Sequence, residues 1–180
     1  MKVIGIAGKA GSGKNTVAGI LAGKLVDMGH PVVVDAFAVI IKRTARDAGW
    51  DGEKTPEARR KLQQIGAHLR EKDPDSLIDL LNLRNSDLLH YIIVPDVRMK
   101  NEVEYCRQHG VLWHVFDRGG LDGDLGEDVT ETNLDDLAND LSITSIRNDG
   151  TLEELTQLVH MAVADGRHDK DLIEASTRQQ

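Results

Sequence analysis

The sequence predicts an α/β fold: a five-stranded parallel sheet with helices on both faces. Three observations lead there. Stretches such as "KVIGIAG" and "YIIV" are apolar without strict alternation, which is how strands covered on both faces read. Segments of helical spacing separate the strands, the order expected of a parallel sheet. A glycine-rich turn also joins the first strand to the first helix.

Taken in order, "KVIGIAG" is the first strand. After the turn, Val17, Ile20, Leu21, Leu25 and Met28 follow helical spacing, and Gly29 supplies a stop. "PVVVDAFA" reads as a second, β-branched strand. From about Val39 to Asp87 the chain is mainly helical ("VIIKRTARDAG", "PEARRKLQQIGAHLREK", "PDSLIDLLNLRN"), forming a helical insertion at about 38–87. "LLHYIIVPD" is a third buried strand ending at Asp96, "NEVEYCRQHG" a short helix with a glycine stop, and "VLWHVFD" a fourth strand. A turn-rich loop, "RGGLDGDLGED", and a short helix, "TNLDDLAN", precede a fifth strand, "LSITSI", and the turn "RNDG". Thr151 with Glu154 three positions later is a capping-box pattern opening the last helix. Residues 1–165 are read as one domain and 166–180 as a frayed or partner-dependent tail. Trp50 and Trp113 are assigned to the core or its edge.

At 180 residues, 40% hydrophobic and 29% charged, the chain has the size and composition of one ordinary globular domain. The single cysteine, Cys106, cannot form an internal disulfide, and the seven histidines show no metal-ligand spacing; a reducing, cytoplasmic setting is expected. The first apolar run leads at once into the glycine turn, unlike a signal peptide, and no apolar stretch approaches the ~20 residues of a membrane span. Net charge is −8, unevenly spread. Residues 1–118 carry 18 Lys/Arg against 15 Asp/Glu, residues 119–180 carry 4 against 15, and none of the Lys/Arg falls between Arg118 and Arg147. Without a basic footprint a nucleic acid polymer is a poor partner. A small phosphorylated ligand suits the basic half better, and a homodimer is compatible with these features.

"GKAGSGKNT" completes G-x-x-x-x-G-K from Gly8 to Lys14, directly after a buried strand and at the start of an amphipathic helix. Gly8, Gly11 and Gly13 let backbone N–H groups, Ala10 and Ser12 between them, converge on phosphate oxygens. The helix N-terminus adds attraction for the anion, and Lys14 can reach the β- and γ-phosphates of ATP. Asn15 stands where a hydroxyl usually meets Mg²⁺; its amide oxygen can take the metal or one of its waters, or Asn15 is simply a first-turn helix residue. Thr16 offers a hydroxyl one position on, toward a more distal phosphate. Arg98, just past a central strand, suits a phosphate or the transition state, or else pairs with Glu102 at i+4. Asp35 orients the surroundings of the acceptor phosphate or binds a sugar hydroxyl, or else only caps the next helix. Arg118 reaches ATP from its strand end or is a surface charge.

"GKAGSGKNTVA" together with "IIVPDVRMKNEVEYCRQHGVLWHVFDR" resembles the phage-type deoxynucleoside monophosphate kinases of the P-loop superfamily. The family's D-V-R-x-x-N-E falls on Asp96, Val97, Arg98, Asn101 and Glu102, followed by Gly110 and Arg118. Its ending resembles "TETNLDD", Asp140 and "RNDGTLEEL". The resemblance implies a nucleoside monophosphate kinase-like fold, with ATP and Mg²⁺ as cofactors and Asp96 holding the metal through water, although Asp96 also suits a helix cap. It further implies that Lys42, Arg43, Arg70 and Gln63, in the helical insertion, hold the acceptor nucleotide, although each also reads as a solvated helix residue. Lys14, Arg98 and Asp35 would be the catalytic set. Two departures stand out: Val39 replaces an acid in "FAVIIK", where Phe37, Ala38 and Lys42 match, and Asp128 replaces a histidine.

A different small-molecule kinase, acting on phosphomevalonate or dephospho-coenzyme A, is the sister reading; the lack of Lys and Arg from 119 to 146 counts against an arginine-rich lid in that span. A nucleotide-dependent switch is disfavoured, because no N-K-x-D occurs and "DVRMKNE" is not D-x-x-G.

Overall fold

The structure, a computed structural model, describes residues 1–53, 55–86, 90–117 and 143–171. Its strands are β1 (Lys2–Ala7), β2 (Val32–Val34), β3 (Tyr91–Val97), β4 (Gly110–Phe116) and β5 (Thr144–Arg147). Its helices are α1 (Lys14–Asp27), α2 (Phe37–Asp47), α3 (Pro56–Lys72), α4 (Ser76–Arg84), α5 (Lys100–His109) and α6 (Leu152–Ala164). They divide into two compact units, Met1–Val34 with Leu89–Gln180, and Asp35–Leu88.

In the first unit the sheet runs β2-β3-β1-β4-β5 with every pair parallel. β1 lies at its centre, so both of its faces need cover, which explains its unbroken apolar run. On one face Ile4, Ile6, Ile93, Trp113 and Val115 pack with Val17, Leu21 and Leu25 of α1 and with Leu155, Val159 and Val163 of α6. On the other face α5 comes so close that a Cβ on Gly5 would lie 2.4 Å from Cys106 Sγ. Burial pushes that thiol's pKa up, with Glu102 and Asp96 adding to the shift, so it stays protonated.

Local sequence sets the ends of the elements. Gly29 takes φ 82°, and the N–H groups of Gly29 and His30 bond back to Val26 and Leu25, closing α1 in a Schellman motif. Thr151 Oγ accepts from the Glu154 N–H while the Glu154 carboxylate accepts from the Thr151 N–H, the predicted capping box of α6. Pro95 has no N–H to give a central ladder. β3 accommodates it with a bulge: Gly5 faces Val94 but Ala7 faces Val97.

The second unit consists of α2, α3 and α4. Its start corrects the expected second strand, which stops at Val34 instead of running through Ala38. Asp35 accepts its neighbour Ala36's N–H, Ala36 caps α2, and Phe37 is buried as the first helical residue. Trp50 takes the edge position open to it: it is half-buried, donates its indole N–H to the Glu53 carbonyl at 3.1 Å, and lies under the Arg46 guanidinium. Trp113 is fully buried.

Residues beyond 165, read from the sequence as a frayed or partner-dependent tail, make specific contacts through Asp171. Asp169, 6% exposed, accepts from Lys2 Nζ at 2.5 Å and from Tyr91 Oη at 2.7 Å; Lys2 also reaches Asp171 at 2.9 Å. Burial pushes the Asp169 carboxyl up, but the hydrogen bonds from Lys2, Tyr91 and the Asp171 N–H outweigh it and hold the pKa below the usual carboxylate value. His168, 2% exposed, packs against Tyr91 and His30 with no well-formed hydrogen bond to its ring nitrogens.

Candidate nucleotide-phosphate site

The turn from β1 to α1 is the glycine loop, and its glycines stand where side chains cannot. Gly8, Gly11 and Gly13 have φ of 145°, 81° and 97°. A Cβ on Gly8 would come within 2.3 Å of the Val115 carbonyl oxygen and 2.8 Å of Ser12 Oγ. Ser12 is buried, and its hydroxyl has no hydrogen-bond partner. Lys14 opens α1 and donates from Nζ to the carbonyls of Gly8 at 2.6 Å and Lys9 at 2.7 Å. Asn15 and Thr16 follow, both exposed in the first turn. No side chain caps α1, and no acidic residue lies in its first turn. The backbone N–H groups of such a terminus suit an anion.

The strand register places Arg98 beside this loop. Ala7 pairs with Val97, so Gly8 and Arg98 leave adjacent strands at the same level. Glu102, 1% exposed, accepts through one carboxylate oxygen from the N–H groups of Arg98 at 2.8 Å and Met99 at 3.0 Å. Glu102 therefore grips the backbone of Arg98 from the i+4 position. Asp96 is half-buried in the residues of the Pro95 bulge.

The remaining candidates belong to the second unit. Asp35, 6% exposed, accepts from Arg84 Nη2 at 3.1 Å, Asn85 Nδ2 at 3.0 Å and the Ala36 N–H at 2.8 Å. In the structure it ties the end of α4 to the start of α2. Lys42, Arg43 and Gln63 are exposed, while Arg70 is half-buried over Gly66, where a Cβ would lie 3.1 Å from its Nη1. A cavity of about 320 Å³ in this unit is lined by residues including Trp50, Ala58, Lys61 and Leu62, and by none of these candidates. Arg118 and Asp128 lie outside the described residues. Among the described residues no three His, Cys, Asp or Glu side chains gather to hold a metal ion.

The sequence reading placed Asn148 in a turn and in the family-like ending "RNDGTLEEL" but gave it no role. Asn148 is 2% exposed and donates from Nδ2 to the Ser12 carbonyl at 2.7 Å. Beside it a cavity of about 450 Å³ is lined by Arg147–Gly150 and by Leu155, Leu158 and Met161 of α6, among others. Arg147 bridges Asp117 at 2.8 Å and Asp149 at 2.9 Å, holding the ends of β4 and β5 together.

No protein-family model and no curated protein sequence matches the chain. Solved structures do. A gluconokinase from Sinorhizobium meliloti 1021 is 18% identical with TM-score 0.54, over 97% of this chain and 97% of that one. A shikimate kinase from Aquifex aeolicus vf5 is 13% identical with TM-score 0.56, over 92% of this chain and 98% of that one. The fold is that of the P-loop kinases. At these identities the likeness concerns the fold, and neither neighbour's name specifies a nucleoside monophosphate acceptor. No helix among the described residues is long and apolar enough to cross a membrane.

Proposed function

We propose that the chain is an ATP-dependent kinase that moves the γ-phosphate of ATP to a deoxynucleoside 5′-monophosphate. The observation that carries the phosphotransferase reading is the glycine loop, left-handed at all three glycines between a central strand and a helix. The loop fits a nucleotide's phosphates: Gly8 keeps the backbone close, and the buried Ser12 hydroxyl lacks a partner. The choice of acceptor rests on the resemblance carried by Asp96, Val97, Arg98, Asn101 and Glu102.

ATP supplies the phosphoryl group, and Mg²⁺ neutralises charge between the phosphates when bound. Lys14 exchanges its bonds to the loop carbonyls for phosphate oxygens, and the backbone from Gly8 to Thr16, Ala10 included, cradles them. Arg98, with its backbone fixed by Glu102, presents a planar fork to the moving group. Asn15 and Asp96 are the metal's candidates, each able to act through a bound water. Lys42, Arg43, Gln63 and Arg70 are assigned to the acceptor, Asp35 to orienting its surroundings, and Arg118 to ATP. The cavity beside Asn148 offers room for the base of ATP. The setting assigned is cytoplasmic.

The structural neighbours favour a second reading, a kinase for another small acceptor. Coupled ADP release with ATP and Mg²⁺ separates the two. Turnover of one or more deoxynucleoside monophosphates is expected. Turnover only of gluconate, shikimate, phosphomevalonate or dephospho-coenzyme A would replace the leading reading, and no turnover with any acceptor would remove both.

A further inference from the structure

Asn148 does more than end a strand. Its own N–H donates to the Phe116 carbonyl at 3.0 Å, extending the β4–β5 ladder one residue past Arg147. Its side chain then turns inward and donates a hydrogen bond from Nδ2 to the Ser12 carbonyl at 2.7 Å. Gly13 makes room for this: a Cβ there would lie 2.3 Å from Asn148 Nδ2. Three residues on, the Thr151–Glu154 capping box fixes the start of α6, so Asn148 sits between a paired strand and a capped helix.

The peptide between Ser12 and Gly13 is planar and trans, so its C=O and N–H point in opposite directions. Holding the Ser12 carbonyl toward Asn148 turns the Gly13 N–H away from it. That N–H belongs to the glycine loop, and its direction decides whether it can meet an anion. The bond spans 136 positions of sequence.

We propose that Asn148 is a positioning residue for the nucleotide: it sets the orientation of the Ser12–Gly13 peptide and so the loop's affinity for a nucleoside triphosphate. This rests on the reading of the loop as an ATP site but is independent of the acceptor. Asn148 touches no reacting atom in this scheme, and the amide donor is the group that matters. In Asn148→Asp a carboxylate oxygen would face the Ser12 carbonyl, and the two acceptors would repel. When protonated, the same side chain regains a donor, an O–H in place of an N–H.

The test is calorimetric binding of ATP–Mg²⁺, without acceptor, to wild type, Asn148→Ala and Asn148→Asp, with unfolding curves confirming that each is folded. Both variants are expected to bind at least about tenfold more weakly, roughly one missing hydrogen bond to a buried carbonyl. The ratio of Asn148→Asp to wild-type affinity is expected to recover as pH is lowered from 8 toward 5.5, while that of Asn148→Ala stays flat. Variants that bind within twofold of wild type overturn the inference, as does a ratio for Asn148→Asp that ignores pH. If both variants fail to fold, Asn148 is a structural residue and the inference fails. A wild-type chain that does not bind ATP fails in a different way, because it removes the functional reading on which the inference stands.

Discussion

Lys14 Nζ lies 2.6 Å from the carbonyl oxygen of Gly8, so the residue that ends the glycine motif bonds back to the one that begins it. A second bond, to the Lys9 carbonyl at 2.7 Å, completes the closure. The ammonium is thus held over the loop, and an arriving phosphate takes the place of these two carbonyl acceptors. Lys14→Ala is expected to weaken ATP binding and to lower turnover by roughly 10²–10³-fold, the usual scale for one lost charge-stabilising donor. Calorimetry and a coupled assay measure the two effects. Full ATP affinity in the variant would leave Lys14 with a purely structural part.

Arg98 and Glu102 separate cleanly by substitution. Arg98→Ala should cost roughly 10³-fold in kcat with ATP affinity nearly intact. Arg98→Lys should recover little, since a point charge does not replace a planar fork. Glu102→Gln keeps an oxygen for the two N–H groups of Arg98 and Met99 and should be mild. Glu102→Ala leaves both without that acceptor at the start of α5, which costs about 1–2 kcal/mol, and should lower kcat as well by loosening Arg98. Normal kcat in a folded Glu102→Ala protein would disconnect the two residues.

Asn15 is exposed in the first turn of α1, where its amide can meet a metal without rearranging the core. Asn15→Ser should retain activity. Asn15→Leu should shift the Mg²⁺ titration of turnover to higher concentration, by about tenfold if one ligand is lost. An unchanged titration would assign Asn15 to the helix alone.

Stability should fall with acidification in two steps. Burial lowers the pKa of His168 below its ordinary 6.5; Asp169 opposes that shift, and His30 and Lys2, facing it with Tyr91, add to it. The unfolded chain therefore binds more protons than the folded one below about pH 6.5, and stability declines as pH falls through that value. Asp169 acts later. Its folded pKa is below 3.8, so its contribution is present above about that value and is lost below it. His168→Phe should flatten the melting temperature between pH 6.5 and 5 relative to wild type. An identical slope in both proteins would place the sensitivity elsewhere.

What the sequence disclosed follows from the range of the forces involved. β1, the loop and α1 were legible because sterics at Gly8, Gly11, Gly13 and Gly29 act on the residues themselves. Buried strands announced themselves as apolar runs, and the Thr151 box is a contact across three positions. β2 was overdrawn because the apolar "AFA" prolongs the β-branched run past Asp35, whereas Phe37 is buried as the first residue of a helix. The grip of Asn148 on Ser12 and that of Asp169 on Lys2 and Tyr91 were not legible, since bonds across 136, 167 and 78 positions leave no period in the chain. Glu102 was noticed at the correct spacing as a partner for the Arg98 side chain, while its bonds to two backbone donors went unread.

The position of β1 has a further consequence, for synthesis. β1 leaves the ribosome before the strands it pairs with, β3 and β4, whose first residues are Tyr91 and Gly110. At roughly 5–20 residues per second its apolar run waits on the order of ten seconds with its backbone hydrogen bonds unmade. No local hairpin can shelter it in the meantime, because every neighbour in the sheet is parallel and comes from far along the chain. The nascent protein is most exposed to wrong partners in that interval, and expression at lower temperature or with a holding chaperone should raise the soluble yield without altering the finished fold.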